Sequence, residues 1–336
     1  MHRGSRAAVL AAGFLVTSTL SVAAEWEGLL ARMALVSDAA LSGVVADQAP
    51  TAAAAQDCEI GPTEVAQFDA LLSLSPAEQE ASRKLHAKWG MPVPTTAVAD
   101  EQFLLHREYV INYNGDLKIP LYATYTLKAG DVVSRTRLNC FREDPRLAAP
   151  VRSILDDYRE PIFDRGHLVP RADMNRSKGV MINTFVLSNM MPQHDQFNQG
   201  IWETLESAVR AWAVDKGTIL VVSGAVFDAD GNGARDPATN AKRVEPRKKV
   251  GIPTHFYKIV LHERPNGFVD SIAILLPHTD NQVPKSLSQP EKLAYLQDHI
   301  VSIDQIEDLT GYNFFPDMPA TKQKAVERSV AAGLWD

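Results

Sequence analysis

Four consecutive positions hold an acid, a base, a glycine and an imidazole: Asp164, Arg165, Gly166 and His167. A chain turn requires only the glycine, so the three polar neighbours indicate a chemical role. A neutral imidazole titrates near physiological pH and can take a proton from water. A guanidinium offers phosphate oxygens a planar fork of donors. This stretch therefore predicts a general base, His167, beside a phosphate-facing Arg165, with Asp164 bracing a turn at Gly166.

A second polar stretch, SNMMPQHDQFNQGIW, covers residues 188–202 and runs into a helical pattern. It contains Asn189 and Asn198, whose amide oxygens can accept hydrogen bonds or bind a cation. Glu206 and Arg210 follow at a spacing of four, so they share one helix face. Simpler interpretations stay open: Asn198 as the N-cap of the helix, and Glu206–Arg210 as a surface ion pair of about 0.3–0.5 kcal/mol.

In five ordered stretches the chain resembles the DNA/RNA non-specific endonuclease family, which includes secreted bacterial nucleases and mitochondrial endonuclease G. The stretches are SRTRLNCFREDP, DRGH, SNMMPQHDQFNQGIW, ETLESAVRAW and GIPTHFYKIV. The family signature is D-R-G-H followed by S-N-x-x-P-Q-x-x-x-x-N-Q-x-x-W. The resemblance covers residues 102–319. It implies a ββα-metal (His-Me finger) core of two strands and a helix around one divalent ion.

The resemblance assigns the base and the metal residues one by one. His167 is the general base, and Asn189 supports its ring. Asn198 is the direct ligand of Mg²⁺, with Mn²⁺ as a substitute, and Glu206 contacts the ion through water. A neutral amide oxygen with waters in the remaining positions suits Mg²⁺, which sheds its hydration shell reluctantly.

The resemblance also implies a set of phosphate-facing arginines. Arg165 matches the arginine of D-R-G-H, and Arg210 is a partner of phosphate or of Glu206. Arg137 is predicted to stabilise the transition state, with Arg135 as a rival because the spacing around FREDP varies in the family. A local basic rim, or simply solvated loop charge, would be formed by Arg171, Arg176 and Lys178.

The predicted function is Mg²⁺-dependent, sequence-non-specific hydrolysis of DNA and RNA to 5′-phosphate products. Phosphodiester hydrolysis needs a base, positive charge on the transition state and stabilisation of the leaving oxygen. Two alternatives stay open: a phosphodiesterase on smaller phosphate esters, and a binding protein that kept the fold without the chemistry. A homodimer stays open as well.

The stretch FDADGNGARD lies outside this scheme. Asp228, Asp230, Asn232 and Asp236 with a central glycine follow the start of a Ca²⁺-binding loop. Position twelve of such a loop would be Thr239, where a bidentate acid is required. A glycine-rich turn is the preferred interpretation, with a Ca²⁺ site as the alternative.

The chain divides into four predicted parts. Residues 1–24 have the basic start, short apolar run and small residues of a cleavable signal peptide, which predicts export to the periplasm or outside the cell with no stable membrane association afterwards. Residues 25–100 form an Ala-rich helical and linker extension with one well-signalled helix, capped by Ser75 and followed by Gly90. The endonuclease domain covers 101–320, and 321–336 is a C-terminal tail.

Alternating β-branched and aromatic residues predict a hairpin around NGD and further strands at GTILVVSGAVFD, THFYKIVLHE and FVDSIAILLP. Helical patterns cover QGIWETLESAVRAWAVDKG and SIDQIEDLTG. We therefore predict an α+β fold on a central, mainly antiparallel sheet. The formal net charge of −7 argues against a broadly basic nucleic-acid-binding surface. Cys58 and Cys140 could form a disulfide or stay as buried thiols.

Overall fold

The computed structural model describes residues 26–36, 57–279 and 283–335. The predicted signal peptide, residues 1–24, and most of the predicted linker lie outside the described residues. The strands are β1 Asp57–Cys58, β2 Val93–Pro94, β3 Glu101–Leu105, β4 Val110–Asn114, β5 Ile119–Lys128, β6 Cys140–Phe141, β7 Phe163–His167, β8 Met190–His194, β9 Thr218–Val226, β10 His255–Glu263, β11 Val269–Pro277, β12 Ile300–Val301 and β13 Tyr312–Asn313.

The α-helices are α1 Glu27–Val36, α2 Pro62–Ala70, α3 Pro76–His86, α4 Lys178–Asn183, α5 Glu203–Lys216, α6 Gln289–Asp298, α7 Ile303–Thr310 and α8 Ala320–Arg328. Short 3₁₀ turns are found at Ala129–Asp131, Leu155–Tyr158, Arg171–Met174, Leu187–Asn189 and Ala238–Asn240. A π-helical segment, Phe197–Trp202, leads directly into α5. The predicted cap of α3 is confirmed, because Ser75 and Glu78 form a capping box.

A seven-stranded sheet in the order β12-β11-β10-β9-β5-β4-β3 forms the centre of the molecule. Each neighbouring pair in it is antiparallel. The predicted hairpin around NGD joins β4 to β5, and the three further predicted strands are β9, β10 and β11. The prediction of a mainly antiparallel central sheet is confirmed.

Helix α5 follows the predicted pattern and ends at Gly217, whose φ of 80° favours glycine. Its apolar side packs in the core, where Trp202, Leu205, Val209 and Trp212 are all buried. The large apolar cluster also includes residues of β5, β9, β10 and β11. The helix therefore packs against the core over most of its length, with only its last turn exposed, and it supports the side chains at its start.

Both ends of the described chain pack onto α5. Arg210 Nε donates to the carbonyl oxygen of Val36 at the end of α1. Trp212 Nε1 donates to the carbonyl oxygen of Trp335, and the two indole rings lie 5.5 Å apart. The segment predicted as a C-terminal tail therefore contains helix α8 and is anchored to the core at Trp335.

Cys58 and Cys140 form a disulfide, which was one of the two alternatives predicted for them. The bridge links β1 to β6, which pair as a short antiparallel sheet of their own. Among the described residues, no helix combines the length and apolar composition needed to cross a membrane.

Candidate active site

The D-R-G-H residues lie in a two-stranded sheet, in which β7 pairs antiparallel with β8. Gly166 is therefore inside a strand, and the prediction that it forms a turn is wrong. A Cβ atom at Gly166 would lie 1.9 Å from Oε1 of Gln193, which is buried across the strand pair. Glycine is required because the Gln193 side chain crosses directly over this backbone.

His167 ends β7 in an aromatic pocket. Its ring meets Phe185 edge-on, with ring centres 4.7 Å apart, and lies 5.9 Å from the ring centre of Phe141. The Nε2 atom is buried and has no hydrogen-bond partner among the described residues. A buried polar atom without a partner is costly and rare, so it marks a position where a further group is expected.

Burial and positive charge hold the imidazole neutral. Burial lowers the pKa of His167 well below its usual value of 6.5, and the charges of Arg137, Arg171 and Arg165 lower the pKa further. The imidazole is therefore neutral at pH 7, with one of its two ring nitrogens unprotonated. It can accept a proton there, as the sequence predicts for a general base.

Two of the predicted arginines rest on the rings that flank His167. The guanidinium of Arg165 lies 4.2 Å above the centre of Phe141, and that of Arg137 lies 5.6 Å from the centre of Phe185. Arg137 Nε donates to Oδ1 of Asn139 at 2.8 Å. The structure therefore brings Arg137, Arg165 and His167 together around one aromatic pair.

The rival arginine, Arg135, is oriented differently. Its Nε donates to the carbonyl oxygen of Asn175 at 2.7 Å, and its Nη2 donates to that of Arg176 at 3.2 Å. It is not among the charges that lower the pKa of His167, whereas Arg137 is. The geometry thus places Arg137 nearer to the imidazole than its rival.

Asn198 is held by the acid of D-R-G-H. Its Nδ2 donates to Oδ2 of Asp164 at 2.9 Å, and Nε2 of Gln199 donates to the same oxygen at 2.8 Å. Because the amide nitrogen of Asn198 is engaged, its Oδ1 is the end available to a cation. Asp164 therefore links β7 to the helix and orients Asn198, a role that sequence reasoning missed.

Asn198 is not an N-cap, because helical backbone begins before it, at residue 195. It lies in the π-helical segment, whose i→i+5 hydrogen bonds widen the turn. In an ideal α-helix, the separation between Asn198 and Glu206 overshoots two full turns. The wider turn reduces this excess.

Glu206 stands beside buried basic groups. Burial raises the pKa of Glu206 above its usual value, and the charges of Lys258 and Arg210 offset only part of that rise. Lys258 is buried on β10, with its Nζ 4.3 Å from the ring centre of Trp202 and 3.2 Å from Oγ of Ser223. Lys258 lies in the GIPTHFYKIV stretch but was not selected as a site residue, since nothing local shows that it lies inside the protein.

The predicted Arg210 lies in the protein interior, only 1% exposed. Its Nη1 pairs with Oδ1 of Asp173 at 3.2 Å, and its Nη2 donates to Oγ of Ser207 at 2.8 Å. Asp173 is buried too, and it accepts a hydrogen bond from the hydroxyl of Tyr125. These contacts give Arg210 a role in holding α5 and α1 in place.

Asn189 makes its described hydrogen bonds to backbone. Its Oδ1 accepts from the amide of Val169, and its Nδ2 donates to the carbonyl oxygens of Val169 and Thr184. The amide of Leu168 also donates to the carbonyl oxygen of Asn189. Asn189 therefore fixes the chain immediately after His167, so any support of the imidazole acts through the backbone.

The FDADGNGARD loop forms a glycine-rich turn. Asp228 accepts from the backbone amides of Asn232 and Gly233, and Asp236 accepts from that of Ala229. Gly231 and Gly233 adopt φ values of 70° and 82°, which favour glycine. These hydrogen bonds close the turn.

Comparison with known proteins agrees with this geometry. A family model described as DNA/RNA non-specific endonuclease matches residues 91–321. The chain is 29% identical to human mitochondrial endonuclease G, over 70% of this chain and 74% of that protein. It is 25% identical to the ectonucleotide pyrophosphatase/phosphodiesterase family member 3 of Bos taurus, over 76% of this chain but only 31% of the relative's length.

The fold is similar to that of a chain in the crystal structure of the EndoG/EndoGI complex, with a TM-score of 0.59 and 22% identity. That similarity covers 74% of this chain and 96% of the other. The family match spans most of the central sheet, β7, β8 and α5, the elements that carry the site. The chain belongs to the DNA/RNA non-specific endonuclease family.

Proposed function

We propose that the protein is a Mg²⁺-dependent endonuclease that hydrolyses phosphodiester bonds of DNA and RNA without sequence preference and leaves 5′-phosphate ends. The observation that carries this proposal is the buried, unpartnered Nε2 of a neutral His167 between two arginines. Family membership supports the substrate class. The antiparallel β7–β8 pair followed by a helix supports a ββα-metal core.

In this proposal, His167 Nε2 accepts the proton of the attacking water. The surrounding aromatic rings and arginines keep the imidazole neutral, so it is ready to act as a base at neutral pH. The guanidinium groups of Arg137 and Arg165 supply positive charge where the phosphate becomes more negative. Backbone bonds from Asn189 hold the residues after His167 in place, which keeps the imidazole at a fixed position.

The donor set fits a hard divalent cation. Asn198 Oδ1, which the bond from Nδ2 to Asp164 leaves available, would bind the ion directly, and Glu206 would do so through water. Mg²⁺ prefers such a sparse set of oxygens, and Mn²⁺ accepts the same donors. When bound, the ion supplies Lewis acidity to the phosphate and the leaving oxygen. Arg210 positions α5, from which Glu206 projects.

Recognition of the nucleic acid would rest on its backbone. The net charge of −7 leaves only a local basic cluster for phosphates, formed by Arg137, Arg165 and their neighbours. Phosphate contacts position a nucleic acid without specifying its sequence. We expect binding to weaken steeply with salt, as counterion release requires.

We also propose that the protein is exported. The N-terminal pattern of residues 1–24 supports cleavage of a signal peptide, and the Cys58–Cys140 bridge suits an oxidising compartment. Mass spectrometry of the protein recovered from its own cell would test this. A mature N-terminus at Glu25 supports export, and an intact N-terminus in the cytoplasm contradicts it.

A second candidate function is hydrolysis of smaller phosphate esters. The similarity to an ectonucleotide pyrophosphatase/phosphodiesterase favours testing it, although this chain spans less than a third of that relative. Comparison of kcat/KM on a long polymer and on a nucleotide ester separates the two candidates. A preference for the polymer supports the endonuclease.

The experiment that tests the proposal is degradation of circular plasmid DNA and of RNA, with Mg²⁺ and with EDTA, by the wild type and by His167→Ala. His262→Ala is a matched control, because that histidine lies on β10 and bonds only the carbonyl oxygen of Thr218 among its described contacts. Metal-dependent cutting by the wild type and the control, lost in His167→Ala, supports the proposal. A folded wild type that cuts nothing with several divalent ions contradicts it.

A further inference from the structure

We infer that residues 57–70, which we call the strap, compete with nucleic acid for the active site, with the carboxylate of Asp57 standing where a substrate phosphate binds. The inference rests on the proposed function for the identity of the competitor. The strap comprises β1 and α2. Its sequence, DCEIGPTEVAQFDA, contains four acids and no lysine or arginine.

The first observation is the ion pair between Asp57 and Arg165. Arg165 is the arginine beside the proposed base, and with Asp57 in place its side chain is only 10% exposed. Carboxylate and phosphate bind a guanidinium through the same parallel hydrogen bonds. A phosphate cannot use that face of Arg165 while Asp57 occupies it.

The second observation is that the strap is fastened beside the site. The amide of Glu59 donates to the carbonyl oxygen of Asn139 at 2.8 Å, and the carboxylate of Glu59 accepts from the amide of Asn139 at 3.0 Å. The Cys58–Cys140 disulfide closes the same strand pair. Because Cys58 directly follows Asp57, the bridge holds that carboxylate at Arg165.

The third observation is that two more strap acids form ion pairs with basic groups of the endonuclease domain. Glu64 pairs with Lys178 at 2.6 Å, and Asp69 pairs with Arg142 at 2.8 Å. Lys178 belongs to the predicted basic rim, so a second phosphate-binding candidate is also engaged. The strap therefore presents negative charge to Arg165 and Lys178, two of the groups predicted to contact phosphate.

Apolar packing joins the strap to the pocket of the base. Helix α2 lies on α4, where a Cβ at Gly179 would come 3.0 Å from the ring of Phe68. The small apolar cluster beneath it includes Phe185 and Phe141, the rings that flank His167. Displacement of the strap would thus expose groups on the wall of the proposed site.

The neighbouring surface stays open. A cavity of about 420 Å³ lies beside the strap, next to the ion pair between Lys178 and Glu64. It is lined by Ser134, Arg135, Thr136, Leu138, Lys178 and Met181. Its lining places two basic groups, Arg135 and Lys178, beside the strap.

The test measures binding of a fluorescently labelled single-stranded oligonucleotide in EDTA, over a series of salt concentrations, in a His167→Ala background that cannot cut. Asp57→Asn is expected to lower Kd by about tenfold at low salt. One additional phosphate contact should steepen the slope of log K against log salt by about 0.7. Glu80→Gln removes the same charge from an exposed acid that pairs with Lys84 on its own helix, and should change neither quantity.

A second variant, Cys58→Ala with Cys140→Ala, removes the fastening and is expected to shift Kd in the same direction, with thermal unfolding reporting that the domain stays folded. Unchanged or weaker binding by a folded Asp57→Asn protein overturns the inference, since Asp57 would then be a structural partner of Arg165. Cleavage by the protein with His167 intact is scored separately. Tighter binding without any cleavage contradicts the proposed function and leaves the strap as a competitor for nucleic-acid binding.

Discussion

His106 and His167 both have pKa values below the usual value of 6.5, and the same kinds of cause lower them. Burial lowers both, and the charge of a neighbouring arginine adds to it, Arg146 for His106 and Arg137 for His167. Their hydrogen bonds differ. His106 Nε2 bonds Nη2 of Arg146 at 2.8 Å, whereas His167 Nε2 has no partner among the described residues.

The surroundings of His106 form a closed network. Arg146 pairs with Asp144 at 2.6 Å, and Asp144 also accepts a hydrogen bond from Ser188. The ring of His106 stacks on Tyr109 with centres 3.9 Å apart. A lowered pKa alone therefore does not identify a catalytic group, because structural networks produce it too. The site is distinguished by the buried Nε2 of His167, which has no hydrogen-bond partner among the described residues.

The largest predicted effects come from replacing each histidine by alanine, which should lower mainly activity at His167 and mainly stability at His106. His167→Ala should lower kcat by about 10²–10⁴-fold, because a positioned base is lost. It should cost less stability than His106→Ala, because no hydrogen bond to Nε2 is lost with it. His106→Ala should cost about 2–4 kcal/mol of unfolding free energy, because it leaves a cavity and an unpaired donor on Arg146. Single-turnover cleavage and urea unfolding of both variants measure the two effects. A His167→Ala variant that loses stability but keeps its cleavage rate would contradict the assignment of His167 as catalytic and His106 as structural.

The next effect concerns the cation. Asp164→Ala should raise the Mg²⁺ concentration for half-maximal cleavage by about 10–100-fold, because the amide of Asn198 loses the partner that orients it. Asn198→Ala should raise it further, and Gln199→Ala, which removes the other donor to Asp164, should raise it least. Titration of activity with Mg²⁺ gives all three values. Equal effects of Gln199→Ala and Asp164→Ala would contradict the orienting role.

The smallest effect is the pH dependence of the closed network. Burial raises the pKa of Asp144, but the hydrogen bonds and charge of Arg146 and the bond from Ser188 outweigh it and lower the pKa to about 2. Since the folded pKa is below the unfolded value, this pair stabilises the protein above about pH 4. The contribution, about 2 kcal/mol, is lost as the pH falls towards 2.

Urea unfolding between pH 5 and pH 2 checks this sign. Asp144→Asn should be less stable at pH 5 and should show a flatter pH dependence than the wild type. Asp156→Asn is the matched control, because Asp156 pairs with Arg159 in solvent. A wild type and an Asp144→Asn variant with parallel curves would show that Asp144 is not the titrating group.

Elements with local signals were predictable from the sequence. The hairpin around NGD, the Ser75 cap and the end of α5 at Gly217 depend on neighbouring residues, and the structure confirms all three. The position of His167 beside Arg137 followed from family resemblance, not from local pattern. Local sequence predicts the helix or strand, and rarely the distant side chains that pack against it.

Long-range contacts were not predictable. Gly166 is required by Gln193 on another strand, and Arg210 pairs with Asp173 far from it in the chain. Asp57 gives no local sign that it will meet Arg165. The π-helical segment was not predicted either, because the apolar spacing of α5 indicates a regular α-helix from its start. Each of these depends on tertiary packing that no short window contains.

The central claim is that His167 is a neutral base in the active site, and a pH–rate profile tests it most directly. Single-turnover cleavage of a labelled oligonucleotide would be measured from pH 5 to pH 8 at saturating Mg²⁺. Because the pKa of His167 is lowered well below 6.5, the wild-type rate should be flat above that pH and fall only in acid, where the imidazole takes up a proton. His167→Ala should be slower throughout, without that acid limb. A variant that keeps the wild-type rate, or the same acid limb, would contradict the claim.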